Sequence, residues 1–338
     1  IVKNNHIVGT GNTAYKGRPH AEKIALDQAK LNAINSTVYI TLEPCSHFGK
    51  TNPCASELIK AKVKRVVCPL KDPNPRVNGK GFELLRKNGI EVDNSPLLLK
   101  ELNDLNEGFI TSIEKKRPHI TLKLAVSLNG KIATKENKSN WISGEKSRIF
   151  VQMIRSKHDA ILIGTKTAFW DNPRLNLRDQ FKNLPQPVKI ILDKNLQLLE
   201  RTNLDRSIPN NKFFLVHDVN LKEKKTKSLK IKGINTLGVS TLKNGNLDLI
   251  DLFKKLSKLG LTRVLVEGGG KLATSLIESK LVDKLILFTA GIILDKDGVD
   301  GINLNLSDVI NLDEYDRYNL EKSTTIGNDV VHFWKIRN

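Results

Sequence analysis

The chain has 338 residues, 39% hydrophobic and 27% charged, enough for two ordinary cores with the balance of a soluble globular protein. Three Cys are too few for an oxidised secreted scaffold, and no run of eighteen apolar residues offers a membrane span. The net charge of +19 admits an anionic partner, but Lys-rich runs such as KEKKTKSLKIK (222–232) explain it more simply as solvated surface, and 5% aromatic content disfavours stacking on single strands.

In chain order, IVKNNHIVGTG (1–11) reads as strand, Asn-Asn turn, strand. The chain opens at Ile1 inside that strand rather than at Met, and the expectation is that an N-terminal piece is missing. Residues 21–34 place Ile24, Ala25, Leu26, Ala29, Leu31 and Ile34 on a helical spacing. VYITLE (38–43) follows as a strand, CASELIKAKV (54–63) as a helix, RVVCPL (65–70) as a strand and GKGFELLRKNG (79–89) as a helix closed by Gly89. This βαβαβ order predicts parallel pairing. Helical character over 94–117 ends in the charged run EKKRP, so the domain boundary is placed near 115, giving domains 1–114 and 115–338. Beyond it, HITLKLAVSLNGKIA (119–133), AILIG (160–164), VKIILD (188–193), FFLVH (213–217), RVLVEGGG (263–270) and KLILFTAGIIL (284–294) read as strands, several separated by helices.

A catalytic zinc needs three protein ligands and an open position. His20 starts the first helix, Cys45 follows the strand 38–43 and Cys54 starts the next helix. In a parallel βαβ unit these helix starts share one edge of the sheet. Glu22, two residues beyond His20, reaches the same place without ligating, the arrangement in which zinc deaminases move a proton. Cys68, inside an apolar strand, reads as core. Eight residues, SHFGKTNP, separate Cys45 from Cys54 where nucleic-acid deaminases have two. In the second half, the strand–turn–helix RVLVEGGGKLATSLI (263–277) exposes backbone N–H groups suited to a pyrophosphate, while a Rossmann fingerprint is lacking.

PHAE (19–22), LEPCSHFGKTNPC (42–54) and DPNPRVNGKG (72–81) resemble the deaminase half of the bifunctional riboflavin-biosynthesis deaminase–reductase family. LKLAVSLNGKIA, SNWISGEKSR, MIRSKHDAILIGTKTAFWDNPRLNLR and VLVEGGGKLATSLI are similar to its reductase half. The resemblance implies an α/β chain with a cytidine-deaminase-like domain followed by a dihydrofolate-reductase-like domain. It implies one zinc per chain on His20, Cys45 and Cys54, NADPH as the second cofactor, and Glu22 and Asp171 as catalytic residues. Cofactor contacts carry over to Ala125, Trp141, Thr167, Asp171, Gly269, Gly270, Lys271, Leu272, Ala273, Thr274 and Ser275. Substrate contacts carry over to His47, Lys50 and Asn74 in the first half. In the second half they carry over to Lys123, Ser139, Arg155, Leu175, Arg178 and Glu267.

The implied reactions are hydrolytic deamination of a phosphoribosylamino-pyrimidine, then reduction of its ribosyl group to ribityl. The implied setting is a cytoplasmic homo-oligomer acting on a phosphorylated small molecule, with no nucleic-acid or membrane partner. The chain departs from the family pattern at Asn129 and Asn172, where Asp is common. Family members also carry a helix and a Pro-Asn-Pro turn before the point where this chain starts, so the chain as written is expected to keep its metal ligands but deaminate poorly. Two rivals compete: a nucleoside or nucleic-acid deaminase with a basic accessory domain, favoured by charge and opposed by the long Cys loop, and a non-enzymatic binding protein, opposed by the intact His20/Glu22/Cys45/Cys54 set.

Overall fold

The computed structural model describes residues 1–14, 17–48, 52–139, 142–198, 213–222, 226–227, 229, 234–304 and 316–336. The chain divides into two compact units, Ile1–Lys115 and Lys116–Asn338.

In the first unit, β1 (Val2–Lys3) and β2 (His6–Ile7) form a hairpin. Its turn residues, Asn4 and Asn5, have φ of 49° and 60°, the left-handed pair that a two-residue turn requires and Asn tolerates. Three short strands, β3 (Thr37–Tyr39), β4 (Arg65–Val67) and β5 (Glu91–Asp93), pair in parallel, and β1 lies antiparallel against β3. Connecting them are α1 (Ala21–Ala29), α2 (Cys54–Lys60) and α3 (Lys80–Lys87), with α4 (Leu99–Glu114) closing the unit. The core is Ala25, Ala29, Val38, Ala55, Leu58, Val66, Phe82 and Leu85, together with Cys68, whose thiol bonds to Leu70 O.

Several elements are shorter than the sequence pattern suggests: the strand read over 65–70 ends at Val67 and the helix read over 54–63 ends at Lys60. The helix expected over 21–34 ends at Ala29 and tightens into a 3-10 turn over Lys30–Ala33, because Lys30 takes a positive φ of 50°. The strand expected over 38–43 ends at Tyr39. Residues beyond it still bond to the neighbouring segment, through Ile40 N to Val67 O and Glu43 N to Leu70 O, but they turn out of the ladder toward the site.

The second unit is built on a nine-stranded sheet. Its strands are β6 (His119–Val126), β8 (Ala160–Ile163), β9 (Val188–Leu192), β10 (Phe213–Asp218), β11 (Asn235–Val239), β12 (Arg263–Val266), β13 (Lys284–Thr289), β15 (Tyr318–Ile326) and β16 (Asp329–Ile336), in the order β11-β10-β9-β8-β12-β6-β13-β16-β15. All pairings from β11 to β13 are parallel, and the terminal hairpin adds antiparallel. A separate ribbon pairs β7 (Lys131–Ala133) with β14 (Val299–Asp300).

Both faces of the sheet are covered, as a parallel sheet requires. Ala160 and Leu162 of β8 point into one core with Leu252, Phe253 and Leu256 of α7 (Leu249–Lys258) and Leu276 of α8 (Gly270–Glu278). Ile161 and Ile163 point into the other with Val151 and Ile154 of α5 (Glu145–Ser156). The strand read over 284–294 ends at Thr289, since Ile292 N turns back onto Ala290 O. Arg117 grips Asp283 with two bonds of 2.5 and 2.9 Å, and Ile120 N donates to the same carboxylate, fixing the start of β6.

Candidate active sites

The carboxyl ends of β3 and β4 and the starts of α1 and α2 bring together His20, Cys45 and Cys54. Their ligand atoms all lie within 4.8 Å of one another. His20 Nδ1 is 3.2 Å from Cys54 Sγ and 3.6 Å from Cys45 Sγ. Ligands on one tetrahedral zinc lie roughly 3.5–3.8 Å apart, so this donor set fits that ion. The set is also prepared to carry negative charge. Hydrogen bonds from Cys54 and His20, against burial, hold the Cys45 thiol down at about 4, and Cys54 N donates to the same sulfur at 3.3 Å. Cys54, bonded to that sulfur and buried, is pushed up. His20 is raised by its bond to Cys45.

Glu22 is 9% exposed, and burial raises its carboxyl, opposed by bonding to its own backbone and by the charge of His20. A buried carboxyl of raised proton affinity beside a metal ligand is placed to take and return a proton. Val77 packs on the two Cys in a small buried cluster. The half-buried His47 has an Nδ1 without a partner, and its charge acts on Asp72. Asn74 is on the same wall, its N–H on Asp72 Oδ1 at 2.8 Å and its Oδ1 accepting from Arg76 N. Lys50 lies outside the described residues, as does Trp141.

In the second unit a cavity of about 1030 Å³ opens at the carboxyl ends of parallel strands. It gathers Lys123, Ala125, Ser139, Arg155, Thr167, Asp171, Leu175, Arg178 and Glu267, with Gly269, Gly270, Lys271, Leu272 and Ser275 at the start of α8. Two of the anticipated cofactor contacts stand apart from it. Ala273 is wholly buried in the core on the inner face of α8, and Thr274 Oγ1 accepts from Asn303 N.

Arg155 meets Glu267 in a bidentate pair, 2.7 Å on each arm. Burial pushes the Glu267 carboxyl up, but Arg155 and then Lys123 outweigh it and the net direction is down. Lys123 is itself lowered by burial, opposed by Glu267. Ser139 Oγ donates to Asp171 Oδ1 at 2.6 Å.

The loop after α6 (Thr165–Asp171) holds Asn172, Leu175 and Asp179 at φ of 37°, 48° and 53°, a left-handed strain concentrated beside the cavity. Asn at 172 suits that conformation. The loop is secured by Arg178 N to Gln152 Oε1 (3.1 Å) and Leu177 N to Gln186 Oε1 (2.8 Å). Asn129, the other departure, bonds Leu294 twice: Nδ2 donates to its carbonyl at 2.7 Å and Oδ1 accepts from its N–H at 3.1 Å.

The sequence reading missed Arg148, Gln152, Lys166, Arg174 and Lys194 in this cavity. Arg148 and Gln152 share the helical face of Arg155 at four- and three-residue spacing, a signal that was available. Lys166 and Lys194 follow the ends of β8 and β9, which only the topology reveals. The cavity wall thus carries eight Lys and Arg side chains against two carboxylates, Asp171 and Glu267.

Residues 118–332 match the family described as the RibD C-terminal domain, and residues 1–70 match the cytidine and deoxycytidylate deaminase zinc-binding region. The chain is 38% identical over 336 residues to the riboflavin biosynthesis protein RibD of Aquifex aeolicus, covering 99% of this chain and 90% of that one. It is 36% identical over 310 residues to the Escherichia coli protein of the same name, covering 88% and 82%. Among solved structures, Acinetobacter baumannii RibD superposes with a TM-score of 0.85 at 30% identity, over all of this chain and 91% of that one. A Thermotoga maritima protein described as a diaminohydroxyphosphoribosylaminopyrimidine deaminase/5-amino-6-(5-phosphoribosylamino)uracil reductase gives 0.82 at 29% identity, over 99% and 90%.

Proposed function

From the chain's membership of the RibD family of riboflavin-biosynthesis proteins, we propose how its residues divide the work of a bifunctional enzyme, a zinc-dependent deaminase followed by an NADPH-dependent reductase. The substrate is read as 2,5-diamino-6-(5-phosphoribosylamino)pyrimidin-4(3H)-one, deaminated in the 1–114 domain and reduced in the 115–338 domain. The observation that carries this reading is the pairing of a His/Cys/Cys cluster beside a buried Glu with a large cation-lined cavity in the second unit.

In the deaminase unit, His20, Cys45 and Cys54 would hold the zinc, which would supply the Lewis acidity that makes water nucleophilic near neutral pH. Glu22 accepts the proton lost by that water and delivers it to the departing amine, so that ammonia leaves as oxygen takes its place on the ring carbon. Its burial favours this shuttle, because the raised proton affinity of the carboxyl helps it take up the proton. His47, Lys50 and Asn74 orient the pyrimidine and its phosphate.

In the reductase unit, NADPH supplies the hydride. Thr167, Gly269, Gly270, Lys271, Leu272 and Ser275 would receive the cofactor, the start of α8 being suited to its pyrophosphate. Ala125 and Asp171 would border the nicotinamide, a position the family resemblance also gives to Trp141. Arg178 offers paired donors to the ribose phosphate, while Ser139 and Leu175 complete the substrate wall. Glu267 neutralises Arg155 and leaves Lys123 to bind the sugar beside the buried ion pair. Asp171, having taken a proton from solvent, would supply it to the ring oxygen as the sugar opens and hydride adds to the sugar carbon.

The enzyme is read as a cytoplasmic homo-oligomer with no nucleic-acid or membrane partner. Sedimentation gives its assembly state. The deciding measurement combines zinc analysis, NADPH titration and ammonia release on one sample. One zinc per chain, saturable NADPH binding and NADPH oxidation after deamination are the expected results. Loss of any of these removes the corresponding half of the reading.

A further inference from the structure

Glu43 has no part in the chemistry above, yet its carboxylate is 3% exposed in the first unit. It accepts from three backbone N–H groups of one loop and the first turn of α3: Asp72 at 3.2 Å, Gly79 at 2.8 and 2.9 Å, and Gly81 at 2.9 Å. Gly79 is the N-cap of α3 and brings no side chain to it, so Glu43 caps that helix from another part of the chain. The approach is close on both sides. A Cβ on Gly81 would sit 2.1 Å from Pro44 O, and Gly79 takes a φ of 95° to present its N–H.

The anchored loop is the one that carries Asp72 beside His47, Asn74, and Val77 against Cys45 and Cys54. Glu43 also stands two residues before Cys45. One carboxylate therefore ties the segment bearing a metal ligand to the loop forming the opposite wall.

We propose that Glu43 is a positioning residue of the deaminase unit: its carboxylate clamps loop 72–81 to the Cys45 segment and so sets the substrate wall, without touching metal or substrate. Its consequence for substrate rests on the deaminase reading of the pocket, while the clamp stands on the hydrogen bonds themselves. An amide in its place has one acceptor oxygen and turns an NH₂ toward backbone donors, so the clamp fails even though size and shape are kept. A shorter carboxylate keeps the acceptors at a longer reach.

The test uses the full chain, with Glu43→Gln and Glu43→Asp. Expected for Glu43→Gln are one zinc per chain, unchanged reduction when the deaminated substrate is supplied, and a deaminase KM raised about tenfold with kcat within about threefold. Amide hydrogen exchange over 72–81 should quicken about tenfold while α1 and α2 stay protected. Glu43→Asp should recover part of both effects. The proposal is overturned by an unchanged KM, by loss of zinc, or by a fall in kcat at constant KM. If the parent chain releases no ammonia, the deaminase reading fails, and exchange alone decides the clamp: unchanged exchange over 72–81 in Glu43→Gln overturns it.

Discussion

The two sites reach their working form by opposite routes. The metal cluster is compact and local: three ligands within a 35-residue stretch, two at helix starts and Cys45 in the loop after β3, with Glu22 beside them. The reductase cavity is wide and assembled from distant segments, its central ion pair joining residues 112 positions apart. A metal site concentrates its energy in a few bonds, whereas the cavity spreads it over buried charges and a strained loop. Damage should therefore be abrupt in one and graded in the other.

The sharpest break is Cys54→Ser. It should remove zinc and cost deamination about 10³-fold, on the order of 4 kcal/mol, while NADPH oxidation with supplied intermediate is unchanged. Parallel metal analysis and the two assays check it; equal loss of both activities would erase the contrast between the sites.

Next comes Glu267→Gln, which leaves Arg155 buried without its counter-charge. Breaking such a pair costs about 3 kcal/mol, and reductase KM should rise with it. Denaturant unfolding and steady-state kinetics read the two effects, and deamination should be spared.

A smaller effect is in acid. Burial pushes the Asp283 carboxyl up, but Arg117, by hydrogen bond and charge, carries it down to about 2 from an ordinary 3.8. A depressed folded value means the contribution is intact above about pH 4 and is lost as pH falls toward 2, amounting to about 2 kcal/mol. Unfolding midpoints between pH 5 and 2 should show this slope in the parent and a flatter one in Asp283→Asn.

The smallest is Asn129→Asp, which forfeits the bond to Leu294 O and should cost about 1 kcal/mol, visible as a lower Tm of the second unit.

The same contrast governs what the amino-acid order discloses. His20, Glu22, Cys45 and Cys54 are legible because spacing and helix starts bring them together with little help from the rest of the fold. Arg155 and Glu267 are legible only through family resemblance, since nothing local ties position 155 to 267. Strand ends at Tyr39 and Thr289 escape the apolar pattern because backbone turning, not hydrophobicity, stops them. The hairpin Tyr318–Ile326 with Asp329–Ile336 is missed for another reason: the first of its strands, YNLEKSTTI, is mostly polar and partly exposed at the sheet edge. Glu43 is hidden similarly, as an ordinary acid whose partners are all backbone.

Strand β6 has an implication for how the chain is made. It begins at His119 and sits between β12 and β13 in the finished sheet, paired to both. On the ribosome it emerges first among the nine, yet its partners at 263–266 and 284–289 come near the end of synthesis. The first unit has all five of its strands by Asp93 and can close while translation continues. The second must keep an apolar strand waiting, unpaired along both edges until residue 266 is out and along one until residue 289, and that interval is where a nascent chain is most exposed to aggregation and to chaperone capture.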